Sequence, residues 1–410
     1  PTVLTALPDR TPPEKLALVA TCTRGTEDVL ADELRHILGD ELRLKVERGA
    51  VKFEGNLEAA YRACLWSRVA SRVLLVIRQF PCRHAEALYE GIADIDWLVH
   101  LEPDSTLSVE FVGVSPGIRN SHFGALKVKD AIVDQMRQRT GRRPTVDLDR
   151  PDIRVHVHLR NEQASVSIDL SGAPLHRRGH GREGGVAPLK ENLAAAILLL
   201  SGWRELAAAG APLVDPMCGS GTFLLEAGGI ALDRAPGLER KTWGFTWWPP
   251  HDATLWRVLQ AEAQDRAEEC TAEVTLIGSD SDPRMVTLTR QNAKRAGLDL
   301  RVRRQDLSDS WPPAEQLEDP PRGLFVTNPP YGERLEDEEG ALRIGKMLGQ
   351  VLRHRYLGWF AVVLAGSRPL ANGIGLKARK HPLWNGPIEC RLLGIDISDR
   401  PVLGEGLPTT

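Results

Sequence analysis

The sequence predicts an α/β protein: a Rossmann-like, doubly wound domain preceded by two smaller α+β units. Short apolar runs alternate with helical spacing through the second half, the pattern of a parallel sheet with crossover helices. Between one such run and the helix after it lies a glycine turn, Asp215-Pro216-Met217-Cys218-Gly219-Ser220-Gly221-Thr222. The first half carries alternating runs closed by polar turns, the mark of strands with one buried face. At 410 residues the chain has the length of two or three domains.

Residues 1–13 are Pro-rich and polar and read as a flexible tail. Residues 14–80 read strand, helix, strand, helix, strand: 16–21 is a short apolar run, 25–38 has helical spacing with Thr26 as its cap, 51–55 alternates, 57–65 is helical and 72–80 is strand-like. Within residues 81–175, 107–112 reads as a strand and 127–138 as an amphipathic helix with Ile132, Val133 and Met136 inward, stopped by Gly141. Residues 153–159 and 164–170 form a hairpin that turns His156 and His158 outward, away from any metal role. Residues 176–190 are a glycine-rich basic linker. Residues 191–410 make the doubly wound domain: a helix over 191–200, then strands at 213–215, 274–280, 300–303, 324–328 and 361–365 with helices between them.

Hydrophobic residues make up 42% and charged residues 26%, with a formal net charge of −3. This excludes a globally basic nucleic-acid binder, so any such surface is local. No apolar run approaches the roughly 20 residues that span a bilayer, and the start lacks the apolar segment of a secretion signal. A cytoplasmic protein without a membrane partner is expected. Six cysteines (Cys22, Cys64, Cys82, Cys218, Cys270, Cys390) are scattered with no Cys-x-x-Cys pair, which points to reduced thiols and to no metal site. Cys218 is expected to fill space in the glycine turn, since no base lies near it in sequence to make it a nucleophile.

Gly219 and Gly221 let the backbone turn tightly and approach a ligand, and the helix beginning at Thr222 offers free N–H groups. A phosphate-binding P-loop needs a Lys followed by Ser or Thr, and the dinucleotide fingerprint needs a further glycine where Leu224 stands. Neither is met. The turn opens instead with Asp215 and Pro216, and a carboxylate there repels phosphate and suits a cation. Asp280, closing the next strand, is placed to accept from both ribose hydroxyls; Asp306, after the third, from an adenine amine. Singly, each acid is as readily a helix cap or a solvated side chain. Together they fit S-adenosyl-L-methionine, which joins a cationic amino acid to a ribose and a base without phosphate. Asp282-Pro283 starts the following helix and Gly297 ends it.

Asn328-Pro329-Pro330-Tyr331 follows the buried-strand pattern of residues 324–327. Two prolines cannot continue a central strand, so the chain leaves the sheet at this carboxyl edge. An exocyclic amine on a nucleobase is a poor nucleophile because its lone pair is delocalised into the ring. Two acceptors, the Asn328 side-chain oxygen and the Pro329 carbonyl, can bind its two hydrogens and aim the nitrogen, while Tyr331 offers a stacking face worth about 1–3 kcal/mol. Placement and electrostatics then supply the rate.

The Asp215–Thr222 turn together with Asn328-Pro329-Pro330-Tyr331 resembles the class I S-adenosylmethionine-dependent methyltransferases of exocyclic amines, a group that includes DNA adenine-N6 and RNA guanine-N2 enzymes. The longer string Asn328-Pro-Pro-Tyr-Gly-Glu-Arg334, and residues 374–378 and 385–390, resemble the RNA group. Upstream, residues 130–134, Gly141-Arg-Arg-Pro144, Pro151-Asp152 and Leu175-His-Arg-Arg-Gly179 resemble the THUMP RNA-binding domain, behind a ferredoxin-like unit. The order resembles bacterial enzymes that make N2-methylguanosine in large-subunit rRNA. The resemblance implies a tail over 1–13, a ferredoxin-like domain over 14–80, a THUMP domain over 81–175, a linker over 176–190 and a class I methyltransferase domain over 191–410. It implies cofactor contacts from Asp215, Pro216, Gly219, Gly221, Thr222, Asp280, Asp306 and Asn328, and a catalytic clamp of Asn328, Pro329 and Tyr331. His180-Gly181 departs from the Tyr and Arg usual there, and the chain stops at 410 without the second methyltransferase domain of some relatives, so one methylation activity is expected.

Between Arg119 and Arg143 there are seven Lys or Arg residues against Asp130 and Asp134, and a second basic cluster follows His176. Lys127, Lys129, Arg142, Arg143, Arg177, Arg178 and Arg182 are the expected phosphate contacts to structured RNA, rRNA or tRNA. Trp243, Trp247 and Trp248 are expected in a core or lid. The rivals are an adenine-N6 enzyme, because the clamp alone does not distinguish two amines, and an RNA chaperone with a vestigial catalytic domain.

Overall fold

The computed structural model describes residues 8–179, 189–313, 323–330 and 338–397. Two compact units divide the chain: one takes the chain up to Cys22, Leu30–Arg177 and Arg240–Glu262, the other Thr23–Val29, Arg178–Glu239 and the chain from Ala263.

The first sheet contains β1 (Leu16–Thr21), β2 (Leu44–Glu47), β3 (Ala50–Gly55), β4 (Arg72–Pro81), β5 (Thr106–Gly113), β6 (Thr145–Val146), β7 (Ile153–Arg160) and β8 (Gln163–Asp169). Between them run α1 (Glu27–Leu38), α2 (Leu57–Trp66), α3 (Ala85–Ala93) and α4 (Ser121–Thr140). Leu16, Leu18 and Ala20 are buried on alternate positions of β1, and Val51 and Phe53 answer them across the β1–β3 pair. The Asn56 side chain accepts from Ala59 N at the start of α2. Asn120 caps α4 in the same way, and Gly141, at φ +73°, ends it by donating its N–H to Arg137 O. Asn161 and Glu162, at φ 51° and 56°, make the two-residue turn between β7 and β8.

The strand order is β2-β3-β1-β4-β8-β7-β5-β6. Strand β4 pairs with β1 on one edge and β8 on the other, with a register shift between Val76 and Arg78. The sequence suggested two separate units meeting near residue 80. In the structure one ladder runs through both stretches, and β2, β6 and α3 add to the elements expected.

Residues 240–262 also belong to this unit. Arg240 holds them down: its Nη1 donates to Pro174 O (3.0 Å) and Arg177 O (2.8 Å), its Nη2 to Ser171 O (2.8 Å) and Ala173 O (2.9 Å). Its guanidinium also lies 4.6 Å from the centre of the Trp243 ring. Trp243, Phe245 and Trp248 are buried, and Tyr61 packs against Phe245 and Trp256. Trp247 alone of the three predicted tryptophans is exposed, at 64%.

The second unit carries α5 (Glu191–Leu200), α6 (Trp203–Ala208), β9 (Leu213–Asp215), α7 (Thr222–Ala231), the C-terminal part of α8 (Ala253–Glu269), β10 (Leu276–Asp280), α9 (Pro283–Arg295), β11 (Arg301–Arg304), β12 (Leu324–Thr327), α10 (Glu338–Arg355), β13 (Phe360–Ala365), α11 (Arg368–Ile374), β14 (Arg379–Asn385) and β15 (Ile388–Asp396). Its order is β11-β10-β9-β12-β13-β15-β14. The first five strands are parallel, and β15 runs antiparallel to both neighbours. Every residue of β9 and β12 is buried, as two helical layers require: Leu193, Ile197 and Phe223 cover one side, Leu348, Leu352 and Tyr356 the other. The β14–β15 hairpin was not expected. Pro382 in β14 is tolerated because β14 is the edge strand. Among the described residues, no helix is long and apolar enough to cross a membrane.

Replacing Arg240 by Ala removes four bonds from one buried cation to the carbonyls of residues 171–177 and is expected to cost about 2–4 kcal/mol in urea unfolding. Replacing exposed Trp247 by Ala should stay within about 0.5 kcal/mol; equal losses in the two variants would contradict the assigned role of Arg240.

Candidate active site

Strand order reverses between β9 and β12, where Leu213 lies opposite Leu324 and Val214 opposite Phe325. In a doubly wound sheet the ligand crevice opens at the carboxyl ends of such a pair. Asp215 and Asn328 leave the sheet there, on neighbouring strands.

The glycine turn is held by backbone bonds and by two side chains of α9. Cys218 N donates to Ser279 O (2.9 Å) and Gly221 N to Cys218 O (2.8 Å). Gly219 N donates to Asp280 Oδ2 (3.0 Å), which ties the turn to the end of β10, and Asp282 N donates to Asp280 Oδ1 (2.9 Å). From α9, Thr289 Oγ1 donates to Gly219 O (2.6 Å) and Asn292 Nδ2 to Ser220 O (3.0 Å). Thr289 and Asn292 escaped the sequence reading. Their only trace is polar residues on the buried stripe of α9 between Val286 and Ala293. The helix itself starts as expected, with the Asp282 side chain accepting from Arg284 N and Pro283 at its first turn.

The two glycines have different reasons. Gly221 stands at φ +84°, and a Cβ there would lie 2.7 Å from Thr289 Cγ2. Gly219 stands at φ +53° with nothing within 4 Å of a Cβ position, so its outer side faces open space. Pro216 and Thr222 are buried beside them, Thr222 as the first residue of α7. Cys218 is buried and its thiol pushed far up by that burial, which leaves no thiolate for nucleophilic chemistry.

The acids differ in setting. Asp215 is 2% exposed; burial pushes its carboxyl up to about 8, against the opposing hydrogen bond that Oδ1 accepts from Met217 N (3.2 Å). Asp280 has its orientation set by the Gly219 and Asp282 N–H groups. Asp306 is exposed and caps a short 3-10 turn, its Oδ1 accepting from Ser308 Oγ (2.7 Å) and N (2.8 Å), bonds that hold its carboxyl below the usual range.

Asn328 Oδ1 is buried without a hydrogen-bond partner among the described residues. The next two residues are Pro329 and Pro330, which have no N–H to offer. A buried acceptor left this way costs about 1–3 kcal/mol. An incoming N–H donor would relieve it. The buried cationophilic carboxylate, the open side of Gly219 and this acceptor suit S-adenosylmethionine and an amine.

Tyr331 and Arg182 lie outside the described residues. Of the expected RNA contacts, Arg142, Arg143 and Arg177 are exposed, and Lys127 and Lys129 are half-buried on α4. Lys129 pairs with Asp130 at 2.6 Å, and Arg142 pairs with Asp104. Arg178 is a correction: at 4% exposure it forms a buried ion pair with Glu226 of α7, Nε donating to Oε1 at 3.0 Å and Nη2 to Oε2 at 3.2 Å. Breaking such a pair strands a charge in the interior, so Arg178 is not available to phosphate. Among the described residues, no cluster of three or more His, Cys, Asp or Glu side chains suits a metal ion.

Residues 178–393 match the RMKL-like methyltransferase domain, residues 17–74 the RlmL ferredoxin-like domain and residues 82–169 the THUMP domain. The ribosomal RNA large subunit methyltransferase K/L of Pseudomonas syringae pv. tomato is 46% identical over 398 residues, which are 96% of this chain and 52% of that protein. This chain therefore spans about half the length of the curated relatives it matches. Among solved structures, SMU.472, a methyltransferase candidate complexed with SAH, is 31% identical with a TM-score of 0.82, over 95% of this chain and 99% of that one. A Listeria monocytogenes protein designated, on prediction, an N6-adenine-specific DNA methylase is 32% identical with a TM-score of 0.78, over 92% and 96% of the two chains. With its methyltransferase domain matched over more than half its length, and the two amino-terminal domains matched in order before it, the chain belongs to the RMKL-like methyltransferase family.

Proposed function

We propose that this chain methylates the exocyclic N2 amine of a guanosine in structured RNA, with large-subunit ribosomal RNA as the favoured substrate. The observation that carries the reading is the buried Asn328 Oδ1, without a hydrogen-bond partner among the described residues, at the end of the strand that pairs with the Asp215 strand. The Pseudomonas relatives named for large-subunit rRNA support the substrate, and the SAH in SMU.472 supports the cofactor. When bound, S-adenosylmethionine supplies an electrophilic methyl group on a sulfonium. Asp215 balances the donor's positive charge, and Asp280, pinned by two backbone N–H groups, accepts from ribose hydroxyls. Asn328 Oδ1 and the Pro329 carbonyl accept the two amine hydrogens and aim the nitrogen lone pair. A base buried in paired RNA must be flipped out to reach them. The Listeria designation favours one second reading, transfer to adenine N6.

Replacing Asn328 by Ala should lower kcat about 100- to 1000-fold, with the Kd for S-adenosylhomocysteine in calorimetry nearly unchanged. Full activity in this variant would refute the clamp.

Asp215 gives a pH signature. With a free-state pKa of about 8, it is largely neutral at pH 7 and must lose a proton to hold a cation. Affinity for S-adenosylmethionine should therefore climb as pH rises and level off above about 8. In Asp215→Asn that slope should vanish and binding should weaken. Stability runs the other way: the raised pKa makes the proton favour folding, fully below the ordinary 3.8 and no longer above about 8. Asp215→Asn should gain Tm over the parent between those limits as pH rises. A parent protein whose donor affinity is flat across this range contradicts the assignment.

A further inference from the structure

A second cleft, 340 Å³ in volume, opens in the methyltransferase unit between Thr23, Arg24, Lys190, Leu193 and the 384–387 turn of the β14–β15 hairpin. That volume is near the lower end for small-ligand sites. The Arg24 guanidinium lies over the Trp384 ring, 4.1 Å from its centre. Neither Arg24 nor Lys190 has a carboxylate partner among the described residues, although both line one small concavity. Arg24 is also pre-positioned. Gly25, next to it, stands at φ +87° so close to β14 that a Cβ would lie 2.3 Å from Pro382 O. Gly25 N donates to Glu27 Oε2 (2.7 Å), and Gly25 O lies 2.6 Å from His381 Nε2.

Sheet topology places the cleft on the edge used by the active site. Strand β15 is antiparallel to both β13 and β14, so β14 runs parallel to β13 and β12. The end of β14 and the turn after it therefore lie at the carboxyl edge from which Asn328 emerges. From β12 across β13 and β15 to β14 is three strand spacings, roughly 15 Å. A few nucleotides of single strand cover that span.

We infer that the Arg24–Trp384 cleft is a subsite for a nucleotide flanking the methylated one, its base stacked on the guanidinium–indole layer and its phosphate drawn to Arg24 and Lys190. Stacking on Trp and on Arg planes is how unpaired RNA bases are held, and two cations beside that layer, neither with a carboxylate partner among the described residues, suit the backbone. The inference rests on the RNA reading above.

The probe is deproteinised ribosomal RNA from cells lacking this gene, used for filter binding across a salt series and for methyl transfer. In the Arg24→Gln/Lys190→Gln double variant, the RNA Kd and KM should rise about tenfold while kcat stays within twofold and the Kd for S-adenosylhomocysteine is unchanged. The slope of log affinity against log salt should become shallower by about 1.4, two contacts at about 0.7 each. Trp384→Leu should raise KM and Trp384→Phe should largely restore it, which a loss of folding would not do. Unchanged RNA affinity in the double variant overturns the subsite. So does an equal loss in a Lys294→Gln/Lys346→Gln control, which removes exposed cations elsewhere on the unit. If the parent protein binds this RNA yet methylates none of it, the proposed function fails, and the cleft is still decided by the affinities.

Discussion

Two parallel strands placed side by side, with the chain winding away from them in opposite directions, are the constraint on which the site depends. Their buried faces leave no room for polar groups, so polarity collects where β9 and β12 end. Asp215 and Asn328 stand at those ends, one with a carboxyl group pushed up to about 8 by burial, the other with an amide oxygen that has no donor among the described residues. Under the proposed function a bound cation stabilises the ionised acid and an N–H donor satisfies the amide oxygen. Functional sites commonly hold such local penalties because the surrounding packing sustains them. Here the packing is Thr289 and Asn292 locking the glycine turn and the Gly219–Asp280 bond tying it to β10.

The two units exchange short pieces of chain. Thr23–Val29 belongs with the methyltransferase unit although it follows β1, and Arg240–Glu262 belongs with the first unit although it follows α7. In each case named contacts explain the allegiance: Gly25 and Arg24 are fitted to β14, and Arg240 is bonded to the carbonyls of residues 171–177. Division of this chain by sequence order alone therefore misassigns both pieces.

Much of this was legible beforehand. The alternation of apolar runs and helices located β9 through β13, and the glycine turn and the Asn-Pro-Pro string marked where β9 and β12 end, because both depend on local backbone requirements that few residues meet. What depended on tertiary partners was not legible. Pro382 argues against a strand until β14 is known to be the edge of its sheet, and Gly386-Pro387 form the turn that follows it. Arg177 and Arg178 look alike in sequence, yet only one reaches solvent, because Glu226 lies 48 residues further along the chain. Asp306 offered two readings, and its hydrogen bonds to Ser308 show the helix-cap geometry. The roles of Thr289 and Asn292 required knowing which face of α9 meets the glycine turn.

Whether Asn328 Oδ1 holds an exocyclic amine of guanine is decided by nucleoside mass spectrometry of ribosomal RNA from cells lacking this gene, incubated with the protein and S-adenosylmethionine. New N2-methylguanosine should appear at a single site. N6-methyladenine in its place, or no new methylated nucleoside, would contradict this role.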